Sequence, residues 1–294
     1  MKEIFPFYSI GHFINQPHNK TEFEITRFEE MEEPEVDDLH KHTFYEIIWI
    51  EDGLSKQHID YQEYVIAPQT LFFISPGQLH YFEEWQYLQG GSIFFTEDFF
   101  LLNQQNKDSL FEFVFLDNFY ICPHLSLDDV AYTEIKQSID ALLREKKRKD
   151  YSPQIAQAFL QILLYQIQRC VEAQSSQVVS KKYLVIYKKF KLLIDQYFTQ
   201  GLTAGDYAEK LAITSHHLNL VSKHITGKTA TELIRARALL EAKRMLTFTD
   251  HTVTEIAAEL GYFDSSYFAK LFKSEAGMNP LDFKKIMSEK YRIR

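Results

Sequence analysis

Thr203-Ala204-Gly205-Asp206-Tyr207-Ala208-Glu209-Lys210-Leu211 returns in outline as Thr252-Val253-Thr254-Glu255-Ile256-Ala257-Ala258-Glu259-Leu260, 49 positions further on. Each copy opens with a Thr whose hydroxyl can accept from an orphan amide of a first helical turn. An acid three residues later can reach back to the Thr amide. Ala and Leu then fall on one helical face. Beyond a short turn, Leu218, Val221, Lys223 and Gly227 recur as Phe268, Leu271, Lys273 and Gly277, now 50 positions on, so the second turn is one residue longer. Gly at the end supplies the left-handed backbone that closes a helix. Each copy therefore predicts a short helix, a tight turn and a second helix, the helix-turn-helix layout, over about 203–227 and 252–277. Between them, Thr231 to Leu246 predicts one longer helix. It is apolar at Leu239, Leu240, Ala242, Met245 and Leu246 and basic at Arg235, Arg237, Lys243 and Arg244, and it would hold the two units at a fixed separation.

Helical spacing assigns the faces of the second helix in each unit. Leu218, Val221 and Ile225 are expected inward, which leaves His216, Asn219, Leu220 and Lys223 outward. In the second unit Tyr267, Phe268, Leu271 and Phe272 are expected inward, with Ser266, Ala269, Lys270 and Lys273 outward. Short polar or apolar side chains can approach base edges in a major groove, and cations can reach bases or phosphate. A merely solvated helix face usually carries more Glu–Lys pairs.

Charge agrees with this. The 294 residues carry a formal net charge of −9, which at first argues against a polyanion partner. Residues 1–180 hold 13 Lys and Arg against 29 Asp and Glu, whereas residues 181–294 hold 19 against 12. The excess of negative charge belongs to one part and an excess of positive charge to the other. The break falls near the polar stretch Ser175-Ser176-Gln177-Val178-Val179-Ser180, expected to be a linker over 175–182. The densest apolar stretches are strand-sized, which predicts no membrane span. No export signal is visible in Met1 to Pro6, so a cytoplasmic protein is expected. Cys122 and Cys170 cannot build a disulfide framework and are expected to be small buried hydrophobes.

The acidic part starts as strands. Glu22 to Phe28 alternates with period two, and apolar or aromatic runs follow at Tyr45 to Ile50, Tyr64 to Ile66, Leu71 to Ile74 and Ile93 to Phe95, separated by Asp52-Gly53, Pro68, Pro76-Gly77 and Gly90-Gly91. A small barrel or sandwich over 1–120 is predicted. A helical region over 121–174 follows. Ser126 and Asp129 suggest a capping box with Leu125 and Val130 as a staple. Ile135, Ile139, Leu142 and Leu143 recur at helical spacing. Tyr151-Ser152-Pro153 starts another helix, with one apolar stripe through Ile155, Phe159, Ile162 and Leu163 and another through Leu160, Leu164 and Val171. Two stripes need two covers: the barrel and a partner subunit, or one subunit on both sides.

The C-terminal third resembles the AraC/XylS family of bacterial transcription regulators. The residues that carry the resemblance are Glu255-Ile256-Ala257, Leu260-Gly261-Tyr262, Ser266-Tyr267-Phe268, Leu271-Phe272-Lys273, Gly277-Met278-Asn279-Pro280 and Phe283-Lys284. The departures are Ser222 where an aromatic ring is usual, Leu220 where Arg is usual, and Phe283-Lys284 for Tyr-Arg. The resemblance implies that His216, Asn219 and Leu220, and likewise Ser265, Ser266, Ala269 and Lys270, face bases. Two such units on one rigid helix would enter major-groove segments roughly 34 Å apart.

The acidic part holds a second constellation: His40, His42, Glu46 and Gly53, with His80 after Pro76-Gly77. Along an extended strand His40, His42 and Glu46 share the face of Phe44, Ile48 and Ile50. The spacing resembles the cupin motif, in which metal-binding members ligate a transition ion through these four groups. Here Pro34 stands where the motif's first Gly would be, Pro76 directly precedes Gly77, and Glu84 replaces the final Asn. The four residues could line an effector site, bind metal or serve as a structural hydrogen-bonding feature. Trp49, Tyr45, Phe72 and Trp85 are available to line a pocket, while His58 and His124 are expected to be structural.

The fold expected is an α+β multidomain chain: an N-terminal cupin-like β-barrel with following helices, and a C-terminal all-α double helix-turn-helix domain over 183–294. Its function would be sequence-specific regulation of transcription, with a small-molecule effector sensed by the barrel. Double-stranded DNA, the effector, a second copy of the chain and RNA polymerase are the expected partners, with no cofactor and no membrane. The alternative is a cupin metalloenzyme, a dioxygenase or isomerase with a helical tail, using His40, His42, Glu46 and His80.

Overall fold

A computed structural model of the protein describes residues 7–32, 36, 39–102, 109–116, 122–174 and 180–290. The expectations placed on Met1 to Pro6, on Pro34 and on residues 175–179 of the linker lie outside the described residues. The chain divides into two compact units, Phe5–Val178 and Val179–Arg294.

The first unit runs β1 (Phe7–Tyr8), α1 (Ile10–Phe13), β2 (Phe23–Arg27), β3 (Lys41–His42), β4 (Tyr45–Asp52), β5 (Ser55–Ile59), β6 (Gln62–Ile66), β7 (Thr70–Ile74), β8 (His80–Phe82), β9 (Gln89–Phe95), α2 (Glu97–Phe100), β10 (His124–Ser126), α3 (Asp129–Lys146) and α4 (Pro153–Gln174). A five-stranded antiparallel sheet has the order β10-β7-β4-β9-β2, a three-stranded one the order β6-β5-β8, and β1 pairs with β3 in parallel. The central strand β4 is apolar on both faces because both are covered. Ile47 and Trp49 join Ile135, Ile139, Leu142, Leu160, Leu163 and Leu164 of α3 and α4 in one core. Ile48 and Ile50 join Phe72 and Ile74 of β7 and Ile59 and Ile66 of β5 and β6 in a second core between the two larger sheets.

Helix α3 starts later than predicted. Ser126 still pairs with Thr70 in the sheet, so Asp128 becomes the cap, its carboxylate accepting from the Ala131 amide at 2.8 Å. Val130 is then exposed and makes no staple with the buried Leu125. Helix α4 buries Ala156, Leu160, Leu163, Leu164 and Ile167 in the core, while Ile155, Ile162 and Tyr165 remain about half exposed. Cys122 is also exposed, with Sγ 3.2 Å from His124 Nδ1, and Cys170 is only half-buried. The strand edge leaves no apolar cover for Cys122, which corrects the expectation of two buried thiols; His124 hydrogen-bonded to it lowers the thiol pKa.

The second unit is helical: α5 (Lys181–Tyr197), α6 (Ala204–Lys210), α7 (Ser215–Thr226), α8 (Ala230–Phe248), α9 (Val253–Glu259), α10 (Ser265–Ala276) and α11 (Pro280–Lys290). Three capping boxes form as the residue types dictate, at Thr203–Asp206, Thr229–Glu232 and Thr252–Glu255. Gly227 and Gly277 end α7 and α10 in the left-handed region, with φ of +74° and +76°. Helix α8 ties the domain together. Arg237 donates to Asp195 at 2.7 Å and Glu241 at 3.1 Å over the Phe198 ring, and the buried Arg244 reaches Glu241 at 3.4 Å. Two of the four cations predicted on this helix are therefore structural. Lys284 donates to the Thr249 and His251 carbonyls at 2.9 and 3.0 Å and so fastens α11 to the chain leaving α8.

Candidate functional site

The two turn-and-helix units present their second helices to solvent. Helix α7 is started by Thr214, whose hydroxyl accepts from the His217 amide at 3.1 Å. Leu218 and Val221 are fully buried, and His216, Leu220 and Lys223 are exposed. Helix α10 is started by Asp264, which accepts from the Ser266 and Tyr267 amides. Phe268 and Phe272 are buried, and Ser266, Lys270 and Lys273 are exposed. Both faces thus offer a triplet at i, i+4 and i+7: His216, Leu220, Lys223 and Ser266, Lys270, Lys273. In each, the final lysine sits near the helix C-terminus, where the dipole favours a cation.

Three expectations change. Asn219 is half-buried, and its Oδ1 accepts from the Ala230 amide at 3.0 Å. It joins α7 to the start of α8 and does not simply face outward. Ser265 and Ala269 are also half-buried. Tyr267, expected inward, is 51% exposed, and Phe263 in the turn before α10 is fully exposed. Phe268 and Tyr262, with ring centroids 5.2 Å apart, fill the interior that Tyr267 would otherwise enter. An aromatic residue at an apparent core spacing gives no signal of this in the sequence.

In the first unit, β4 alternates so that Glu46 shares the face of Ile48 and Ile50, towards the three-stranded sheet. His42 and His80 reach the same oxygen: His42 Nε2 is 3.4 Å and His80 Nε2 is 3.5 Å from Glu46 Oε2. The other Glu46 oxygen accepts from Ser92 at 2.8 Å. His80 Nδ1 is 3.2 Å from the Gln78 carbonyl, and His42 stacks on Phe44 with ring centroids 4.0 Å apart. All three polar residues are buried. Burial opposes charge on Glu46, but His42 and His80 beside it hold its carboxyl well below the usual carboxylate range. Burial lowers the His42 pKa against the pull of Glu46. His40 lies one step away, its ring centroid 4.3 Å from that of His80 and 6.3 Å from that of His42. Three of the four predicted residues therefore converge, and the fourth packs beside them.

Sequence reasoning missed Gln57. On β5 it faces the same side as Ile59, into the space between the sheets, and both of its amide atoms are buried with no hydrogen-bond partner. A polar residue in the polar run Ser55-Lys56-Gln57-His58 gave no reason to expect burial. Of the four aromatic candidates, Phe72 and Trp85 belong to this inter-sheet core, while Trp49 and Tyr45 belong to the core against the helices. A separate group, His58, Glu63 and Glu83, includes a His58 Nε2 contact of 2.7 Å to Glu83.

Among the described residues no helix is long and apolar enough to cross a membrane. Residues 23–167 match the AraC-like ligand binding domain, and residues 207–286 match a helix-turn-helix domain family. The chain is similar to the HTH-type transcriptional activator RhaS of Yersinia pestis bv. Antiqua (strain Angola), 27% identical over 258 residues that make up 83% of this chain and 88% of the relative. RhaS of Salmonella schwarzengrund (strain CVM19633) is 23% identical over 83% of this chain and 86% of its own. The solved structure of ToxT from Vibrio cholerae aligns at 15% identity with a TM-score of 0.41, covering 90% of this chain and 98% of that one. The metalloenzyme alternative gives no account of the duplicated helix-turn-helix, and it falls with the family matches. The chain belongs to the AraC/XylS family: it is a DNA-binding transcription regulator with a ligand-binding domain ahead of its helix-turn-helix region.

Proposed function

We propose that the two exposed helices, α7 and α10, read two adjacent major-groove segments of one asymmetric site. His216, Leu220 and Lys223 serve one segment, and Ser266, Lys270 and Lys273 the other, with Ser265 and Ala269 lining the approach of α10 and Asn219 holding α7 in place. The observation that carries this is the repeated exposed triplet at i, i+4 and i+7, His-Leu-Lys on one helix and Ser-Lys-Lys on the other, each without an acidic residue and each ending in a lysine, on two helices of one folded unit. Leu220 suits a thymine methyl, and Lys270 suits a guanine edge or a phosphate.

The effector site is the inter-sheet interior, where His40, His42, Glu46, His80 and Gln57 face apolar residues that include Phe72. An effector with a donor and an acceptor would satisfy the Gln57 amide, which otherwise costs stability. The segment over 121–174 serves as the dimerisation region, with the half-exposed Ile155, Ile162 and Tyr165 of α4 on the face that meets a second copy. The RhaS relatives are named as activators, which supports a contact with RNA polymerase in the cytoplasm.

In vitro selection of bound duplexes with the full chain tests the DNA reading. The expected result is two unlike half-sites spaced by about one helical turn, roughly 10 base pairs. The slope of log affinity against log salt should also be steep, as counterion release requires. A selection that enriches no sequence, or an affinity indifferent to salt, would remove the proposal.

A further inference from the structure

We infer that Phe263, the extra residue in the turn of the second unit, sets its ring against a thymine methyl in the major groove and is a specificity determinant that the first unit lacks. The inference rests on the reading of α10 as a groove-entering helix, and it adds a base contact that neither exposed triplet contains.

The backbone identifies the extra residue. Ala212 and Gly261 take the left-handed conformation at equivalent places, with φ of +54° and +79°. The next amide then turns back on the preceding helix in both units: Ile213 donates to the Ala208 carbonyl at 3.0 Å, and Tyr262 donates to the Ala257 carbonyl at 2.9 Å. Up to this point the copies run in step, 49 positions apart. The helix caps that follow, Thr214 and Asp264, are 50 positions apart. Phe263 is therefore the residue without a counterpart.

Its ring is left out of the packing. A residue just before a helix cap often packs on the fourth helical residue, which here is Phe268. Tyr262 already holds that place, with ring centroids 5.2 Å apart, so Phe268 is buried while Phe263 is fully exposed. Ile213, which precedes the cap in the first unit, is half-buried. Among the described residues Phe263 is the most exposed large apolar side chain. A single exposed apolar side chain is ordinary on a protein surface, but this one stands at the end of the helix that a helix-turn-helix directs at base edges. The adjacent Asp264 carboxylate is taken up by the Ser266 and Tyr267 amides, at 2.7 and 3.3 Å. Among the bases only thymine presents a methyl group in the major groove, and an apolar side chain such as Phe suits it. Phe263 precedes Ser266, Lys270 and Lys273 along the chain, which puts the thymine at the end of the α10 half-site away from Lys273.

The test uses the full chain and the duplex it enriches by in vitro selection, with deoxyuridine replacing each thymidine of the α10 half-site in turn. This removes only the methyl. Wild type should lose about 4-fold in affinity at one position, the worth of one buried methyl. Phe263→Ala should bind the unmodified duplex roughly 10-fold more weakly and lose nothing further at that position, the non-additivity that marks a direct contact. Phe263→Leu should keep part of the affinity and the sensitivity to deoxyuridine. Thermal melting of Phe263→Ala should match wild type, because the ring lies in water; if it melts lower, the deoxyuridine profile of the wild-type protein still decides. Phe263→Ala that binds as tightly as wild type, a wild-type profile with no sensitive position, or one that Phe263→Ala leaves unchanged overturns the inference, while readout by α7 and α10 stands. A wild-type chain that enriches no sequence removes both.

Discussion

The two helix-turn-helix units share one layout but not one interior. The second unit closes on Phe268 and Phe272, both buried, with the buried Phe283 of α11 packed on Phe272 at 5.4 Å between ring centroids. The first unit has Ser222 where the second has Phe272. This serine is fully buried, with a hydroxyl that finds no partner. The turns differ as well. Gly261 takes the left-handed conformation in the second unit at φ +79°, whereas Ala212 takes it in the first at φ +54°. The link to the following helix differs for a covalent reason. Asn219 supplies an acceptor to the Ala230 amide, but the matching pair is Ala269 and Pro280, and proline has no amide hydrogen to satisfy. The unit built around aromatic packing also carries the second lysine of the exposed triplet, while the other carries Leu220. Capping and glycine closure keep the duplicated layout, whereas the interior and the outer face of each copy differ independently.

Truncating Phe272 should have the largest effect. Phe272→Ala removes a fully buried ring and should cost about 3–5 kcal/mol, read as a lower urea midpoint for the C-terminal unit. A cost below about 1 kcal/mol would mean that the second unit does not depend on its aromatic interior. Gly261→Ala comes next. A Cβ there would meet the Thr199 carbonyl oxygen at 2.4 Å, so a loss of about 1–3 kcal/mol is expected from overpacking and left-handed strain. Ala212→Gly, the converse change in the first unit, should shift stability by no more than about 1 kcal/mol, since relief of strain is offset by chain entropy.

On the DNA side, Lys270→Ala should weaken binding to the selected site by about 1–3 kcal/mol and relax preference at one position. Leu220→Ala should weaken it less, because it removes only apolar contact. Equal loss on every sequence would reassign Lys270 to phosphate and narrow the difference between the units. Asn219→Ala should destabilise the first unit by about 0.5–1.5 kcal/mol through the loss of one hydrogen bond, measured by thermal melting. Ser222→Ala should be the mildest change, neutral or stabilising by up to about 1 kcal/mol, because it deletes an unpartnered buried hydroxyl. A clear destabilisation would show that the Ser222 hydroxyl is satisfied in solution.

Much of the C-terminal unit was legible residue by residue. Thr203, Thr252 and their acids, Gly227 and Gly277, and the buried Leu218, Val221 and Phe268 all fall where local rules place them, because capping and helical periodicity act within a few residues. The strand runs at Phe23 to Arg27, Tyr45 to Ile50 and Leu71 to Ile74 were legible for the same reason. Strand β5 was not. Its residues Ser55, Lys56, Gln57 and His58 are polar, and they pair as a strand only because β6 and β8 lie on either side. The direction of Tyr267 and the occupation of Asn219 depend on what the neighbouring helices bring, which spacing alone does not contain.

The order of residues alone is enough to show that the chain carries two copies of one helical unit, that these sit in the basic part, and which residues cap and close each helix. Those features rest on short-range hydrogen bonds and on a 3.6-residue period, both written in adjacent residues. It takes the packing of distant elements to bring His42, Glu46 and His80 to one oxygen with His40 beside them, to bury Gln57 among apolar side chains, and to seal Ser222 without a partner. Each of these depends on where separate strands or helices come to lie, and that is set by the packing of whole faces against one another.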